Sequence, residues 1–191
     1  MTDTRATFEH QELAIVLSHY DLGRILDIRE FARGSHQSAK ILVTTDRGKF
    51  LVKRRPKGKD DPYKVAFSHS LQLYLANHHF PMPHLVGTRA DNNSMLKIGD
   101  SIYEAYEFIE GVAYDNGLVA TYESGKTLGL YHALVKEYHP EYPPPPGTYH
   151  GSKVVHDSIA KMGDVLAKRP SAQGKESELD STISAKRATY A

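Results

Sequence analysis

The chain has 191 residues, of which 40% are hydrophobic and 25% are charged, as in ordinary globular proteins. Its formal net charge of +1 offers no broad field for nucleic acid or an anionic membrane, so any anion site must be local. The absence of cysteine excludes disulfides and thiolate zinc sites. No signal-peptide core opens the sequence, and no apolar run approaches the ~20 residues that span a bilayer, so we expect a cytoplasmic protein.

The first third of the chain predicts one helix and three strands. Residues 8–19 carry apolar side chains three or four positions apart, which is typical of a helix. Residues 24–33 alternate well enough for a first strand, and the small-residue turn GSHQS follows at 34–38. Residues 39–55 then predict two strands joined by a hairpin turn, in which Gly48 is free to take positive φ.

The middle of the chain predicts a second helix and further strands. Residues 63–79 place Phe67, Leu71 and Leu75 on one helical face, and the sequence FPMP at 80–83 ends that helix. Further strands are expected near residues 85–88, 94–98 and 101–111.

The character of the sequence changes toward the C-terminus. Residues 121–138 predict an amphipathic helix, and PEYPPPPG at 140–147 predicts a stiff polyproline-type connector. Beyond about residue 166 the chain is rich in Ser, Lys, Glu and Ala, which favours a solvated helix or disorder. The predicted divisions are a lobe over 1–111, a linker with the start of a helical lobe over 112–165, and a polar tail over 166–191.

Several short segments follow one another in an informative order between residues 13 and 138. They are YDLG at 20–23, GSHQ at 34–37, the strand with Lys53, FPMP at 80–83, YEFIEG at 106–111 and GLYH at 129–132. Each is common by itself, and the order and spacing carry the signal. Together they resemble the N-terminal part of the aminoglycoside phosphotransferase and choline kinase-like family. The resemblance implies an α+β fold: a kinase-like lobe with a five-stranded, mostly antiparallel sheet and one main helix, followed by the first helices of an incomplete C-terminal lobe.

The resemblance also implies a nucleotide site for ATP with Mg²⁺. The implied binding residues are Gly34, Ser35, Gln37, Lys53, Glu107 and Ile109. Gly34 and Ser35 lack bulk, so their turn can approach phosphate groups closely. By the same resemblance, Lys53 reaches the α- and β-phosphates. The adenine ring then bonds the backbone carbonyl of Glu107 and the backbone N–H of Ile109.

Simpler interpretations exist for the same residues. Locally, Lys53 reads as a lysine that ends a strand at water beside Arg54 and Arg55, since lysines are usually exposed. Residues 106–111 equally fit an ordinary amphipathic strand. For Lys53 the order of the surrounding elements favours the phosphate-binding interpretation, whereas for residues 106–111 both interpretations remain open.

Two departures separate this chain from the family pattern. Kinase-like folds usually pair the lysine with a glutamate on the following helix. Here the central helix face, residues 67–75, has no carboxylate and offers only Ser68, His69, Ser70 and Gln72. Either the pairing is rewired, or a ligand phosphate orients the lysine.

The second departure concerns catalysis, for which the family uses an HGDxxxxN loop and a later metal-binding aspartate. The nearest match, HGSKVVHD at 150–157, has Ser152 in place of the aspartate, and serine is no general base without activation. It reads as the start of a helix, and MGD at 162–164 lies in a polar helical stretch. We therefore predict no catalytic residue, and we expect the chain to stop before the catalytic loop and to be inactive alone.

Three functional hypotheses remain. The chain is a member of an ATP-dependent small-molecule phosphotransferase family with an unidentified acceptor, or a truncated or degenerate nucleotide-binding module, or an interaction module that binds no nucleotide. The expected partners are a nucleotide, a small acceptor and a C-terminal lobe missing from this chain, with no nucleic acid and no membrane. The eleven histidines form no HExxH or three-ligand pattern, so no metal ligand is predicted.

Overall fold

The computed structural model describes residues 5–145 and 152–167. The chain divides after Pro144 into two compact units, and each is described by itself. The elements of the larger unit are α1 (His10–Ser18), β1 (Ile25–Glu30), β2 (Lys40–Thr45), β3 (Gly48–Arg54), α2 (Pro62–Asn77), β4 (Leu85–Val86), β5 (Leu96–Ile98), β6 (Ser101–Glu107) and α3 (Leu118–Lys136). The second unit contains α4 (Lys153–Ala167).

The strands form one sheet in the order β1-β2-β3-β6-β4, and β5 pairs with the opposite part of β6. All five of these pairings are antiparallel. In the β2–β3 hairpin, Thr45 faces Gly48, whose φ of +138° suits a residue without a Cβ. The α+β class is confirmed. The sheet has six strands rather than five, because the short β4 and β5 each pair with a different part of β6.

One face of the sheet packs against the N-terminal helix. The apolar cluster on this face contains Val16, Tyr20, Leu22, Ile41, Val43, Val52, Leu96, Tyr103 and Ala105. At its edge, Arg54 Nη1 donates to Glu12 Oε1 over 2.5 Å, and Tyr103 Oη donates to the same oxygen over 2.7 Å. These polar contacts fix α1 to β3 and β6, and the buried apolar side chains supply the core.

The central helix α2 lies near the other face of the sheet. It begins after Asp61, whose carboxylate accepts hydrogen bonds from the backbone N–H groups of Tyr63 and Lys64. Its buried residues are Val65, His69 and Leu75. The predicted apolar face is therefore only partly right, since Phe67 and Leu71 are half-buried and a histidine takes the central buried position.

The third helix differs from the sheet because none of its residues is buried. It begins at Leu118, three residues before the predicted start, and contacts α2 through Tyr74 Oη, which donates to the carbonyl of Leu134 over 3.1 Å. Its large exposed apolar side chains are Leu118, Val119, Tyr122, Leu128 and Leu130. No described helix is both long enough and apolar enough to span a membrane.

The second unit bears on the predicted near-match at 150–157. Helix α4 begins at Lys153, and MGD at 162–164 lies within it, as the sequence predicts. His150 and Gly151 lie outside the described residues, as does the tail beyond residue 167. The assignment of residues 112–165 to the start of a C-terminal lobe stays a prediction.

Candidate functional site

Lys53 lies near the end of β3, where its Cα faces that of Glu104 on β6. Paired residues on antiparallel strands project to the same face of a sheet. The Lys53 Nζ atom accordingly lies 2.9 Å from Glu104 Oε2. The Lys53 side chain is 27% exposed and that of Glu104 is 0% exposed. Lys53 is therefore held at the edge of the interior by a buried carboxylate and does not simply end a strand in water.

Three basic side chains converge on Glu104. Arg55 donates to Glu104 Oε1 from Nε over 2.9 Å and from Nη2 over 2.6 Å. His69 Nε2 lies 2.6 Å from the same oxygen, and His69 Nδ1 lies 2.8 Å from Ser94 Oγ. Because an ionised carboxylate only accepts hydrogen bonds, His69 donates from Nε2. We call Lys53, Arg55, His69 and Glu104 the β6 charge cluster.

The charge state of Glu104 follows from these contacts. Burial by itself raises the pKa of a carboxyl group, but His69, Lys53 and Arg55 outweigh that effect and lower the Glu104 pKa to about 2. Glu104 is therefore ionised at neutral pH. A buried negative charge of this kind fixes the Lys53 ammonium in one position, since leaving the carboxylate unpaired would be costly.

This cluster shows which carboxylate pairs with Lys53 in a protein whose central helix face has no glutamate. The carboxylate that pairs with Lys53 comes from β6, and α2 contributes His69, which holds the carboxylate from its other side. Sequence reasoning missed Glu104. The available signal was an acidic residue between Tyr103 and Ala105, both of which are buried in an otherwise apolar stretch of strand.

A cavity of about 440 Å³ opens beside the cluster. It is lined by Leu51, Lys53, Gln72, Met82, Pro83, Tyr106, Glu107, Phe108 and Ile109. The Lys53 Nζ atom lies 4.8 Å from the centroid of the Tyr106 ring, a distance at which a cation is attracted to an aromatic face. A cavity of this size, with mainly apolar walls and one fixed cation, suits a small ligand that has a flat apolar part and an anionic part.

Three of the predicted site residues, Lys53, Glu107 and Ile109, thus line one cavity. The chain at its rim is held by backbone hydrogen bonds: Glu107 N donates to His84 O, and Phe108 N donates to Lys49 O, each over 2.9 Å. Within the described residues, the backbone N–H of Ile109 donates no hydrogen bond. Its donor is therefore available to a ligand.

The other three predicted residues lie in the turn between β1 and β2 and do not line this cavity. Gly34 has a φ of +76°, and Gln37 N donates to Ser35 Oγ over 3.2 Å. The turn is tied to β2 by Lys40, whose Nζ donates to the carbonyls of Arg33 and Ser35. Since Lys40 faces Lys53 in the β2–β3 register, the turn is fastened one strand away from Lys53.

A metal implied by the family finds no prepared site in the described part of the chain. Residues 5–145 and 152–167 contain no group of three or more His, Asp or Glu side chains that could hold a metal ion. The only buried carboxylate among them, Glu104, is already occupied by three basic side chains. Mg²⁺ in kinase sites is usually held by one or two carboxylates together with nucleotide phosphates, so a site of that kind would be completed by the nucleotide.

Comparison with known proteins identifies the family to which this chain is related. A sequence profile of the phosphotransferase enzyme family matches residues 27–183. A homoserine kinase from Caulobacter sp. (strain K31) is 30% identical over 131 residues, which cover 66% of this chain and 39% of that protein. The chain therefore spans well under half of that relative.

Two solved structures share the fold. A microcompartment-associated aminopropanol kinase aligns with a TM-score of 0.60 at 13% identity, over 84% of this chain and 57% of that one. An aminoglycoside phosphotransferase from Alicyclobacillus acidocaldarius aligns with a TM-score of 0.60 at 16% identity, over 98% of this chain and 54% of that one. The predicted resemblance is confirmed, and the profile match at residues 27–183 extends past the predicted stretch of 13–138.

Proposed function

This chain belongs to the phosphotransferase enzyme family, and we propose that it provides the nucleotide-binding part of an ATP-dependent kinase that acts on a hydroxyl group of a small molecule. The observation that carries the proposal is Lys53, an ammonium group held by the buried carboxylate of Glu104 at the wall of a 440 Å³ cavity.

Each part of a nucleotide has a candidate partner in the cavity. Leu51, Met82 and Phe108 offer apolar surface for the adenine ring. The free N–H of Ile109 and the backbone carbonyl of Glu107 are the proposed partners for the edge of that ring. Lys53 is the proposed cation for the α- and β-phosphates, because preorganised charge is the main contribution that proteins make to phosphoryl transfer.

Binding and transfer need different groups. Transfer in this family uses an aspartate that accepts the proton of the acceptor hydroxyl, together with a metal ion that neutralises phosphate charge. In this sequence, Ser152 occupies the aspartate position of the nearest match. We therefore assign nucleotide binding to these 191 residues and expect no transfer by them alone.

The names of the similar proteins suggest an acceptor class. One is called a homoserine kinase and another an aminopropanol kinase, and a third structure is a spectinomycin phosphotransferase. Homoserine and aminopropanol both carry a hydroxyl and an amino group. We propose an amino alcohol of this general kind as the acceptor of the complete protein.

The proposal is tested by thermal unfolding with and without magnesium-ATP. A ligand present at 100 times its dissociation constant adds about 2.7 kcal/mol to the free energy of unfolding. We expect magnesium-ATP to stabilise the wild type and to stabilise Lys53→Met much less. The matched variant Lys97→Met, whose lysine is exposed on β5, should be stabilised as much as the wild type.

Two results would contradict this assignment. Equal stabilisation of wild type and Lys53→Met would remove Lys53 from the site. No stabilisation of the wild type at millimolar ATP would leave an interaction module without nucleotide binding as the better hypothesis.

A further inference from the structure

A second lysine stands beside Lys53 on the sheet. Lys40 on β2 faces Lys53 on β3, and Lys53 faces Glu104 on β6. These three charged side chains therefore form one row across three strands. Like charges directly opposite each other destabilise an antiparallel pair, so the juxtaposition of two lysines calls for a compensating interaction.

The protein supplies that compensation for only one of the two lysines. Glu104 pairs with Lys53 and Arg55, whereas the described residues give Lys40 no carboxylate partner within ion-pair distance. The pKa of Lys40 is lowered, first by partial burial and then by the positive charges of Arg5 and Lys53. Positive charge is thus in local excess around Lys40 and Lys53, although the whole chain carries a net charge of only +1.

The contacts of Lys40 leave part of its hydrogen-bonding capacity unused. Its Nζ donates to the carbonyl of Arg33 and, over 3.1 Å, to that of Ser35. An ammonium group has three N–H donors. Two hold the turn at residues 33–38, and the third has no partner among the described residues.

We propose that Lys40 is a second phosphate-binding residue, which uses its remaining donor on the β- or γ-phosphate while its other two donors hold the turn at residues 33–38. The inference rests on the proposed nucleotide site and deepens it. Glu104 neutralises part of the charge of Lys53, and Lys40 is the lysine that faces Lys53 across the β2–β3 register. Lys40 would thereby couple phosphate binding to the position of Gly34 and Ser35.

This role predicts a dependence on phosphate that a purely structural lysine would not show. We would measure dissociation constants of the full chain for ATP, adenosine and inorganic tripolyphosphate by calorimetry. In Lys40→Met, affinity for ATP and tripolyphosphate should fall about tenfold, the size of one charge-assisted hydrogen bond. Adenosine affinity should be unchanged, and Lys40→Arg should restore much of the loss because it keeps the charge.

The controls separate this inference from the proposed function. Lys97→Met, which removes an exposed lysine on β5, should bind all three ligands like the wild type. If wild type binds ATP and Lys40→Met binds it equally well, or loses adenosine in the same proportion, the Lys40 assignment is wrong and the nucleotide site stands. If wild type binds neither ATP nor tripolyphosphate, both proposals are overturned.

Discussion

The two faces of the central sheet use neighbouring residues of the same strands for opposite purposes. Val52 and Ala105 are 0% exposed and belong to the apolar cluster against α1. Lys53 and Glu104, the residues adjacent to them on β3 and β6, point to the other face and belong to the β6 charge cluster. Because side chains alternate along a strand, a register shift of one residue would exchange core and site. The apolar face thus fixes the register that brings the charges together.

The comparison also explains why the charged face needs the apolar one. Burying an ion pair costs desolvation energy that the attraction between the charges repays only when the geometry is good. Glu104 obtains that geometry from Lys53 on β3, from Arg55 directly after β3 and from His69 on α2. We infer that hydrophobic burial on the α1 side stabilises the fold, and that the charge cluster holds the Lys53 side chain in place.

The largest effect is expected when the charged face loses its carboxylate. Glu104→Gln keeps the shape of the side chain but leaves Lys53 and Arg55 without a counter-charge. We expect a loss of about 3 kcal/mol in the free energy of unfolding at pH 7, the lower end of the cost of breaking a buried pair, because both cations are partly exposed. Urea unfolding measures it. Glu123→Gln, an exposed glutamate on α3, is the matched control and should leave stability unchanged.

The pH dependence of unfolding free energy in the wild type and in Glu104→Gln gives an independent check. The Glu104 pKa in the folded state, about 2, lies below its ordinary value of 4.5. Its stabilising contribution is therefore complete above pH 4.5 and is lost as pH falls from 4.5 toward 2. The stabilities of wild type and Glu104→Gln should converge over this window. A constant difference between them down to pH 2 would show that the charge of Glu104 is not what stabilises the cluster.

The next effect is expected on the apolar face. Val52→Ala removes two buried methyl groups beside Ala105 and should cost about 2 kcal/mol of unfolding free energy. It should leave ATP affinity nearly unchanged, whereas Glu104→Gln should lower both stability and affinity. Val119→Ala, at an exposed position of α3, serves as the control for the loss of methyl groups and should change neither quantity. A loss of ATP affinity in Val52→Ala comparable to that in Glu104→Gln would contradict the division between the faces.

The sequence predicted the apolar face better than the charged one, and the reason is physical. Periodic apolar residues report local structure, so α1, the β2–β3 hairpin and α2 could be identified along the chain. The pairing of Glu104 with Arg55 joins residues 49 positions apart and depends on the β3–β6 register, which no local pattern encodes. His69 was recognised as a polar option on α2, but its burial could not be foreseen without knowing that a carboxylate faces it.

The smallest effect tests the turn that adjoins the charged face. Gly34 has a φ of +76°, and a Cβ added there would lie 3.2 Å from Lys40 Nζ. Gly58 has a similar φ of +81°, and a Cβ there would meet nothing within 4 Å. Both Gly→Ala variants should lose about 1 kcal/mol of unfolding free energy, because the left-handed conformation is unfavourable for any residue with a Cβ.

The two glycine variants should differ only in ligand binding. Gly34→Ala crowds the ammonium group that holds the turn, so it should weaken tripolyphosphate binding by a fewfold, while Gly58→Ala should bind like the wild type. Calorimetric titration of both variants measures this difference directly. Because both variants lose about the same unfolding free energy from the left-handed backbone, that loss does not account for a difference in their affinities. Equal tripolyphosphate affinity in the two variants would mean that the position of the turn is independent of the phosphate site, and that only Lys53 and its carboxylate define the charged face.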